Sequence, residues 1–343
     1  MAKEVTIKSI AKELNITPST VSRALSNHRY ISEETKRLVN EVATKLNYRA
    51  NKVASSLRSG KTHTIGVILP TAKINFFGNV MHGIESLANV HGFNVLIYHT
   101  NETHAQEVKG IEAFLAARVD GILVSISKGT MDFSHFKEVQ KSGVPIVFFD
   151  RANYDLGISS VVTDDCLGAF LATEHLIKQG YKNIAHVAGP MHIKLFSDRF
   201  AGYKDALKAY NKKVRKDLIY FGNASIEAGR EAVRHLLAGK IRPDAVFADD
   251  FTALGVIKEI KEYKLRMPED FGVIGFGNEL FGEHITPTMS TIDQQTILMG
   301  KEAFRVLLQS IEEKDRTTSI TSAKKIILRP IMIYRESSLK KKT

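Results

Sequence analysis

The chain has 343 residues, more than one hydrophobic core serves, so two or three domains of roughly 100 to 150 residues are expected. One cysteine, Cys166, excludes an internal disulfide framework and fits a reducing compartment, and no apolar run approaches a membrane span, so no membrane partner is expected. The net charge of +11 is uneven: residues 1 to 61 hold 12 Lys+Arg against 5 Asp+Glu, a balance of +7, which leaves +4 for the other 282. A basic N-terminal sixth points to a polyanion, nucleic acid above all.

Ile7, Ile10, Ala11 and Leu14 recur at helical spacing, with Thr6 placed to cap the helix. After a break at Asn15 and Ile16, Thr17 offers a second N-cap with Pro18 at the first helical position, where its missing N–H costs nothing. In "TPSTVSRALSN" Val21, Ala24 and Leu25 make the inward face, while Ser19, Ser22, Arg23, Ser26 and Asn27 point elsewhere. A third helix follows Ser32, with Leu38, Val39, Val42, Ala43 and Leu46 as its stripe. This is the helix-turn-helix plan, whose second helix lies in the major groove. The small serines permit close approach, and Arg23 can fork onto guanine O6 and N7.

The stretch "ANKVASSLRSGKT", residues 50 to 62, has the composition of a solvated tether, yet Val53, Ala54 and Leu57 form a narrow stripe on a helix of about two turns. A helix that short is marginal alone in water.

From Thr64 onward apolar runs alternate with amphipathic ones. "TIGVILP", "FNVLIYH", "DGILVSI" and "PIVFFDR" read as strands of a parallel sheet, separated by helices near 76 to 91, 104 to 117 and 133 to 142. The pattern restarts with "NIAHVAGP", "DLIYFG", "DAVFADD" and "GVIGFGN", predicting two doubly wound α/β lobes in series. Ligands of such sheets bind beyond the carboxyl ends of the strands. There the sequence offers Phe76 and Phe77 as aromatic surfaces, Ser125 and Ser127 as hydroxyls, Asp150 and Arg151 as charges, and Asp249 and Asp250 as paired carboxylates. Aromatic faces mixed with polar groups suit a polyol or a nucleobase.

The run from Thr6 to Tyr48, and "TVSRAL" within it, resembles the headpiece of the LacI/GalR family of bacterial transcriptional regulators. The resemblance implies that Thr17 to Asn27 is the recognition helix, with Ser19 and Arg23 reading bases and Pro18 touching the groove. Thr6, Thr17, Ser22, Asn27 and Arg29 complete the DNA-facing set it implies. It also makes residues 50–61 a hinge helix that orders in the minor groove, with Asn51 as N-cap, Ala54 on the stripe and Leu57 as an apolar wedge between base steps. Ala50 stands where the family commonly has proline.

The remainder resembles the family's periplasmic-binding-protein-like effector domain through "FFGNVMHGIE", "VDGILVS", "PIVFFDR", "DRFAGY", "FADDFTALGV", "VIGFGN" and "STIDQQ". Carried over residue by residue, Phe77, Asp150, Arg151, Arg199 and Gln294 face the effector, with Arg199 suited to bidentate bonds to hydroxyl pairs or an anion. The sequence departs from the family pattern at Ile74, Ala224, Asp249 and Gly277. Gly277 removes a carboxylate that Asn278 or Asp249 would have to replace. A carbohydrate or carbohydrate derivative is the leading effector class, with a nucleobase, a phosphorylated metabolite and a protein co-effector as alternatives.

The expected fold is thus an all-α helix-turn-helix headpiece (1–49), a hinge (50–61), and an α/β core of two doubly wound parallel-sheet lobes (62–343). The N-lobe is placed at about 62–160 and 293–322, the C-lobe at about 161–291 and 324–338. A homodimer on double-stranded, roughly palindromic operator DNA is expected, acting as a repressor or, alternatively, an activator, in the cytoplasm with the nucleoid. The short tail "SSLKKKT" carries no heptads, which favours a dimer over a tetramer. An enzyme is disfavoured. "SGKT" lacks the first glycine of a phosphate-binding loop, "GFGNELFG" fails the G-x-G-x-x-G spacing, and no His or Cys grouping suits a metal, so no cofactor or metal is expected. A transporter's solute-binding protein shares the two-lobed plan but would need an export signal, which the "MAKEV" start does not offer.

Overall fold

The computed structural model describes residues 5–48, 60–316 and 323–340. The chain divides into two compact units, Met1–Thr62 and His63–Thr343.

In the first unit α1 (Ile7–Glu13), α2 (Pro18–Leu25) and α3 (Glu33–Lys45) enclose a core of Ile10, Ala11, Val21, Ala24, Val39 and Ala43. Each start is set locally. Thr17 accepts the Thr20 N–H at 3.2 Å with Pro18 opening α2, and Ser32 accepts the Thr35 N–H at 3.2 Å to open α3. Asn15, between the first two helices, takes a positive φ of 51°, which asparagine tolerates in a tight turn. Leu38, expected on the inward stripe of α3, is 38% exposed, because Val39 and Val42, one and four positions on, already fill the contact. Loss of the Ser32 cap (Ser32→Ala) is expected to cost about 1 kcal/mol, read as a lower melting temperature for the first unit.

In the second unit, β1 (Thr64–Leu69), β2 (Asn94–His99), β3 (Gly121–Val124), β4 (Ile146–Phe149), β5 (Ser159–Thr163) and β11 (Lys325–Leu328) form an all-parallel sheet in the order β11-β5-β4-β3-β1-β2. A second parallel sheet, β7-β6-β8-β9, is built from β6 (Ile184–Ala188), β7 (Ile219–Phe221), β8 (Ala245–Phe247) and β9 (Gly272–Ile274). Both orders reverse beside their first strand, the doubly wound arrangement whose switch point opens a crevice at the strands' carboxyl ends.

Helices cover the sheets: α4 (Asn75–Val90), α5 (His104–Ala116), α6 (Ser134–Ser142) and α12 (Thr296–Arg316) in the first lobe, and α7 (Asp165–Lys178), α8 (Lys194–Ala209), α9 (Ile226–Ala238) and α10 (Asp250–Glu262) in the second. The short α11 (Phe281–His284) follows β9. The buried stripe of α12, with Met299, Ala303, Phe304 and Leu307, completes the first lobe's core. Gly300 lets α12 approach closely, because a Cβ there would run into the Val80 carbonyl of α4.

The chain crosses between lobes three times: after β5, after β10 (Thr291–Asp293), and between β11 and β12 (Ile331–Ile333), which pairs antiparallel with β10. The crossings are tied together. Asp164 N–H donates to Leu328 O at 2.9 Å, Thr163 Oγ1 to Gln294 O at 3.4 Å and Gln295 Nε2 to Arg329 O at 2.6 Å. The expectation that residues 324–338 lie wholly in the C-lobe is corrected here. Lys325–Leu328 pairs with β5 in the first sheet, and only the segment beyond it returns to the second lobe, where Ser337 Oγ donates to Val273 O at 2.6 Å. Residues 161–163, also assigned to the C-lobe, likewise belong to β5 of the first sheet.

Candidate functional site

On the headpiece, α2 separates two chemistries. Val21 and Ala24 are buried, whereas Pro18, Ser19, Arg23 and Ser26 are exposed and Ser22 is half-buried. Small hydroxyls hold one another: Thr17 Oγ1 lies 2.8 Å from Ser19 Oγ, and Ser26 Oγ donates to Arg23 O at 3.1 Å. The Arg23 guanidinium has no partner among the described residues and stands free on a face with low side chains. Asn27 turns the chain after α2 at a φ of 53°. Arg29 donates to Tyr30 Oη at 2.7 Å and lies 4.7 Å over that ring, which is 74% exposed. Thr6, at the start of α1, is exposed. Asn51, Ala54 and Leu57, expected in the hinge, lie outside the described residues.

In the second unit a cleft opens between the lobes, lined from the first by Ile74, Phe76, Phe77, Lys128, Asp150 and Arg151, and from the second by Phe196, Arg199, Ala224, Asp249, Asp250, Phe251, Phe276 and Glu279, with Gln294 at a crossing. Four of its charged members follow strand ends, Asp150 and Arg151 after β4 and Asp249 and Asp250 after β8, whereas Arg199 lies within α8. Arg199 is its most constrained cation. Its Nε donates to Asp165 Oδ1 at 2.8 Å, its Nη2 reaches Gln294 Oε1 at 3.3 Å, and its guanidinium lies 3.7 Å over the Phe276 ring. Asp165, which the sequence reading did not single out, is thus the residue that aims Arg199. Burial pushes its carboxyl up to about 6, against the pull of the Arg199 charge.

Arg151 donates through Nη1 to Glu102 Oε2 at 2.8 Å and to Ile126 O at 3.2 Å. Asp150 adopts a φ of 59°, which turns its carboxylate back to accept from Ser125 Oγ at 3.1 Å. Burial raises the Asp150 pKa despite the neighbouring arginines. Burial and the Arg151 charge together lower that of Lys128.

The two aspartates after β8 have different tasks. Asp249 caps α10, accepting from Thr252 N at 3.1 Å and from Thr252 Oγ1 at 2.5 Å. Asp250 is buried and accepts from Thr291 Oγ1 and Glu279 N–H, both at 2.6 Å. Gly275 lies against it, since a Cβ there would collide with its Oδ1. Burial drives the Asp250 carboxyl up to about 7. A carboxyl with a raised folded-state pKa binds its proton more tightly folded than unfolded, so ionising it costs stability as pH rises from near 3.8 through about 7. An asparagine can accept from the Glu279 N–H and donate to Thr291 Oγ1. Asp250→Asn is therefore expected to weaken the fall in melting temperature between pH 5 and 8; an unchanged slope would show that Asp250 does not titrate there.

Three expected residues, Ser125, Ser127 and Asn278, are not brought to the cleft. Ser125 is fully buried and spent on Asp150. Asn278, at a φ of 52°, turns its side chain away, accepting from Arg335 Nη2 at 3.0 Å and facing Asp293 at 3.4 Å. The acceptor that Gly277 lacks comes instead from Glu279, whose Oε1 accepts the Phe76 N–H across the cleft at 3.1 Å. Ser127 bonds Thr100 at 2.6 Å beside a neighbouring cavity. Lys128, Phe196 and Glu279 went unread because each sits in a loop or first helical turn with no motif of its own, and Phe251 and Phe276, although inside "FADDFTALGV" and "VIGFGN", because an apolar ring there reads as core.

Residues 62–329 match the family model for periplasmic binding proteins and the sugar binding domain of the LacI family, and residues 6–51 match that for bacterial regulatory proteins of the lacI family. The chain is 30% identical over 311 residues to the HTH-type transcriptional repressor PurR of Vibrio atlanticus, covering 90% of this chain and 93% of that one. It is 32% identical over 318 residues to Catabolite control protein A of Priestia megaterium, covering 92% and 95%. A solved complex of the transcriptional regulator CelR with cellobiose superposes with a TM-score of 0.72 at 26% identity, over 98% of this chain and all of that one. On both of its units, therefore, the chain belongs to the LacI family of bacterial transcriptional regulators.

Proposed function

We propose that the protein is a homodimeric repressor whose α2 reads a roughly palindromic operator and whose cleft takes a small carbohydrate-like effector. The observation that carries the reading is the union, in one chain, of a recognition-type helix with an unpaired Arg23 and a two-lobed cleft lined by phenylalanines and oriented charges. Pro18, Ser19, Ser22 and Arg23 face the bases; Thr6, Thr17, Asn27 and Arg29 lie toward the backbone, where salt-dependent affinity arises. In the cleft, Arg199, held by Asp165 and Gln294, forks onto vicinal hydroxyls while Phe76, Phe77 and Phe276 supply the apolar faces a sugar ring stacks on. The cellobiose complex of a structural relative supports the carbohydrate class.

A dimer is supported by β2. Strands of parallel sheets are ordinarily covered on both faces, yet Leu96 and Ile97 are 41% and 44% exposed, beside Val90 at 77%. A second copy would bury that surface. The lobes, linked by three crossings, can reorient when a ligand bridges them and so bias the DNA-competent arrangement. Selection of DNA from a random pool is the test. The expected result is an enriched inverted repeat whose affinity falls steeply with salt; a pool that stays unenriched while binding non-specifically would overturn the reading.

A further inference from the structure

We propose that a basic pocket in the second lobe, at the edge of its sheet opposite the cleft, is a site for a small metabolite bearing a phosphate chain. The pocket measures about 140 Å³ and lies at the amino-terminal edge of the sheet, between the turn that enters β6 and the connection from α8 to β7. Lys182, Lys212, Lys213 and Arg215 line it, with Leu207 and Leu218 buried behind them. The cleft follows the carboxyl end of β8 in the same sheet, so the two sites share no residue and neither reading rests on the other.

Four like charges in one concavity call for a counterion, and among the described residues no carboxylate lines the pocket. Elsewhere on this lobe cations are matched by acids: Lys178 by Glu174, Arg230 by Glu259 and Arg266 by Asp270. Asp244, packed against the same edge, spends its two oxygens on the Lys182 and Asn183 N–H groups at 2.8 Å each. Lys212 rests its Nζ on the Tyr181 and Lys182 carbonyls, at 3.4 and 3.5 Å. The Lys182, Lys213 and Arg215 side chains are exposed at the pocket wall and have no partner among the described residues. Asn183, also in the lining, adds a side-chain amide that makes no hydrogen bond among them.

The chain holds these cations in place. After α8 ends at Ala209, Asn211 turns at a φ of 53° and the Lys212 N–H returns to Leu207 O at 2.8 Å, which fixes the start of the segment that carries Lys213 and Arg215. On the facing side the Asp244 bonds fix the backbone at Lys182. An apolar floor beneath charges of one sign focuses their field on the space between them. The fork of Arg215 and the point charges of the lysines suit the several oxygens of a phosphate chain better than the single charge of a carboxylate. Every lining residue belongs to the second lobe, so binding here does not depend on lobe closure.

The test uses the full chain, with pyrophosphate as the probe at constant ionic strength. Calorimetry is expected to show pyrophosphate binding that Lys213→Ala/Arg215→Ala weakens by about tenfold or more, since two charge-assisted contacts are lost. Both side chains are exposed and unpaired among the described residues, so the melting temperature of this variant without ligand should match that of the wild type. A matched control, Lys137→Ala/Lys258→Ala, removes the same charge from exposed positions elsewhere and should bind pyrophosphate as the wild type does. No pyrophosphate bound by the wild type, an affinity unchanged in Lys213→Ala/Arg215→Ala, or an equal loss in the control overturns the site. So does a loss of affinity for non-operator duplex in Lys213→Ala/Arg215→Ala with pyrophosphate unbound by the wild type, which would make this face a nucleic-acid contact.

Discussion

Arg199→Ala is expected to abolish sugar binding, by a factor of a hundred or more, and to lower the stability of the second unit by about 3–5 kcal/mol. Both consequences come from one geometry. Arg199 and Asp165 are each 7% exposed and bonded at 2.8 Å, so removing the cation leaves a carboxylate buried without a partner. It also strips the Phe276 face of the guanidinium that lies 3.7 Å over it and frees Gln294. The double variant Arg199→Ala/Asp165→Asn separates the effects. It should regain most of the lost stability, because no buried charge is orphaned, yet stay unable to bind. Calorimetry with thermal melts of the three proteins reads both quantities. Recovery of binding in the double variant would show that Arg199 positions the lobe and does not touch the ligand.

Arg23→Ala is expected to lower operator affinity by about 1–3 kcal/mol, roughly five- to 150-fold, and to relax the preference at one base pair of each half-site. The side chain is exposed and unpaired among the described residues, so the substitution leaves the core of Ile10, Val21 and Val39 unchanged. Non-specific binding should therefore fall far less than specific binding, and cleft ligands should be unaffected. Equal losses on operator and on random DNA would assign Arg23 to the phosphate backbone.

Much of this was legible in the chain because the periodicities are clean. The headpiece carries a 3.6-residue stripe through Val21, Ala24 and Val39, with caps at Thr17 and Ser32. Strands β1, β3 and β4 are continuous apolar runs buried along most or all of their length. The crossings were illegible for the opposite reason. β10 and β12 are three residues each, and β11 pairs with a strand more than 160 residues earlier, so no local pattern announces them. The site divides along the same line. Arg199, Asp150 and Gln294 sit in family motifs, and the strand-end rule located the cleft. That rule says only where a strand stops, not which way the next side chain turns, and so Ser125 and Asn278 were expected where the structure places Glu279 and Phe276. Asp165 was hidden because a helix-start aspartate ordinarily reads as a charge for the dipole.

The central claim is that the cleft and the operator-reading helix are thermodynamically coupled. Ligands that stabilise the chain in a panel of sugars, sugar phosphates and nucleosides should be titrated by calorimetry into the free protein and into its operator complex. The account predicts unequal ligand affinities, by about fivefold or more, with an equal change in operator affinity when ligand is saturating. Identical ligand affinity for free and operator-bound protein would contradict it.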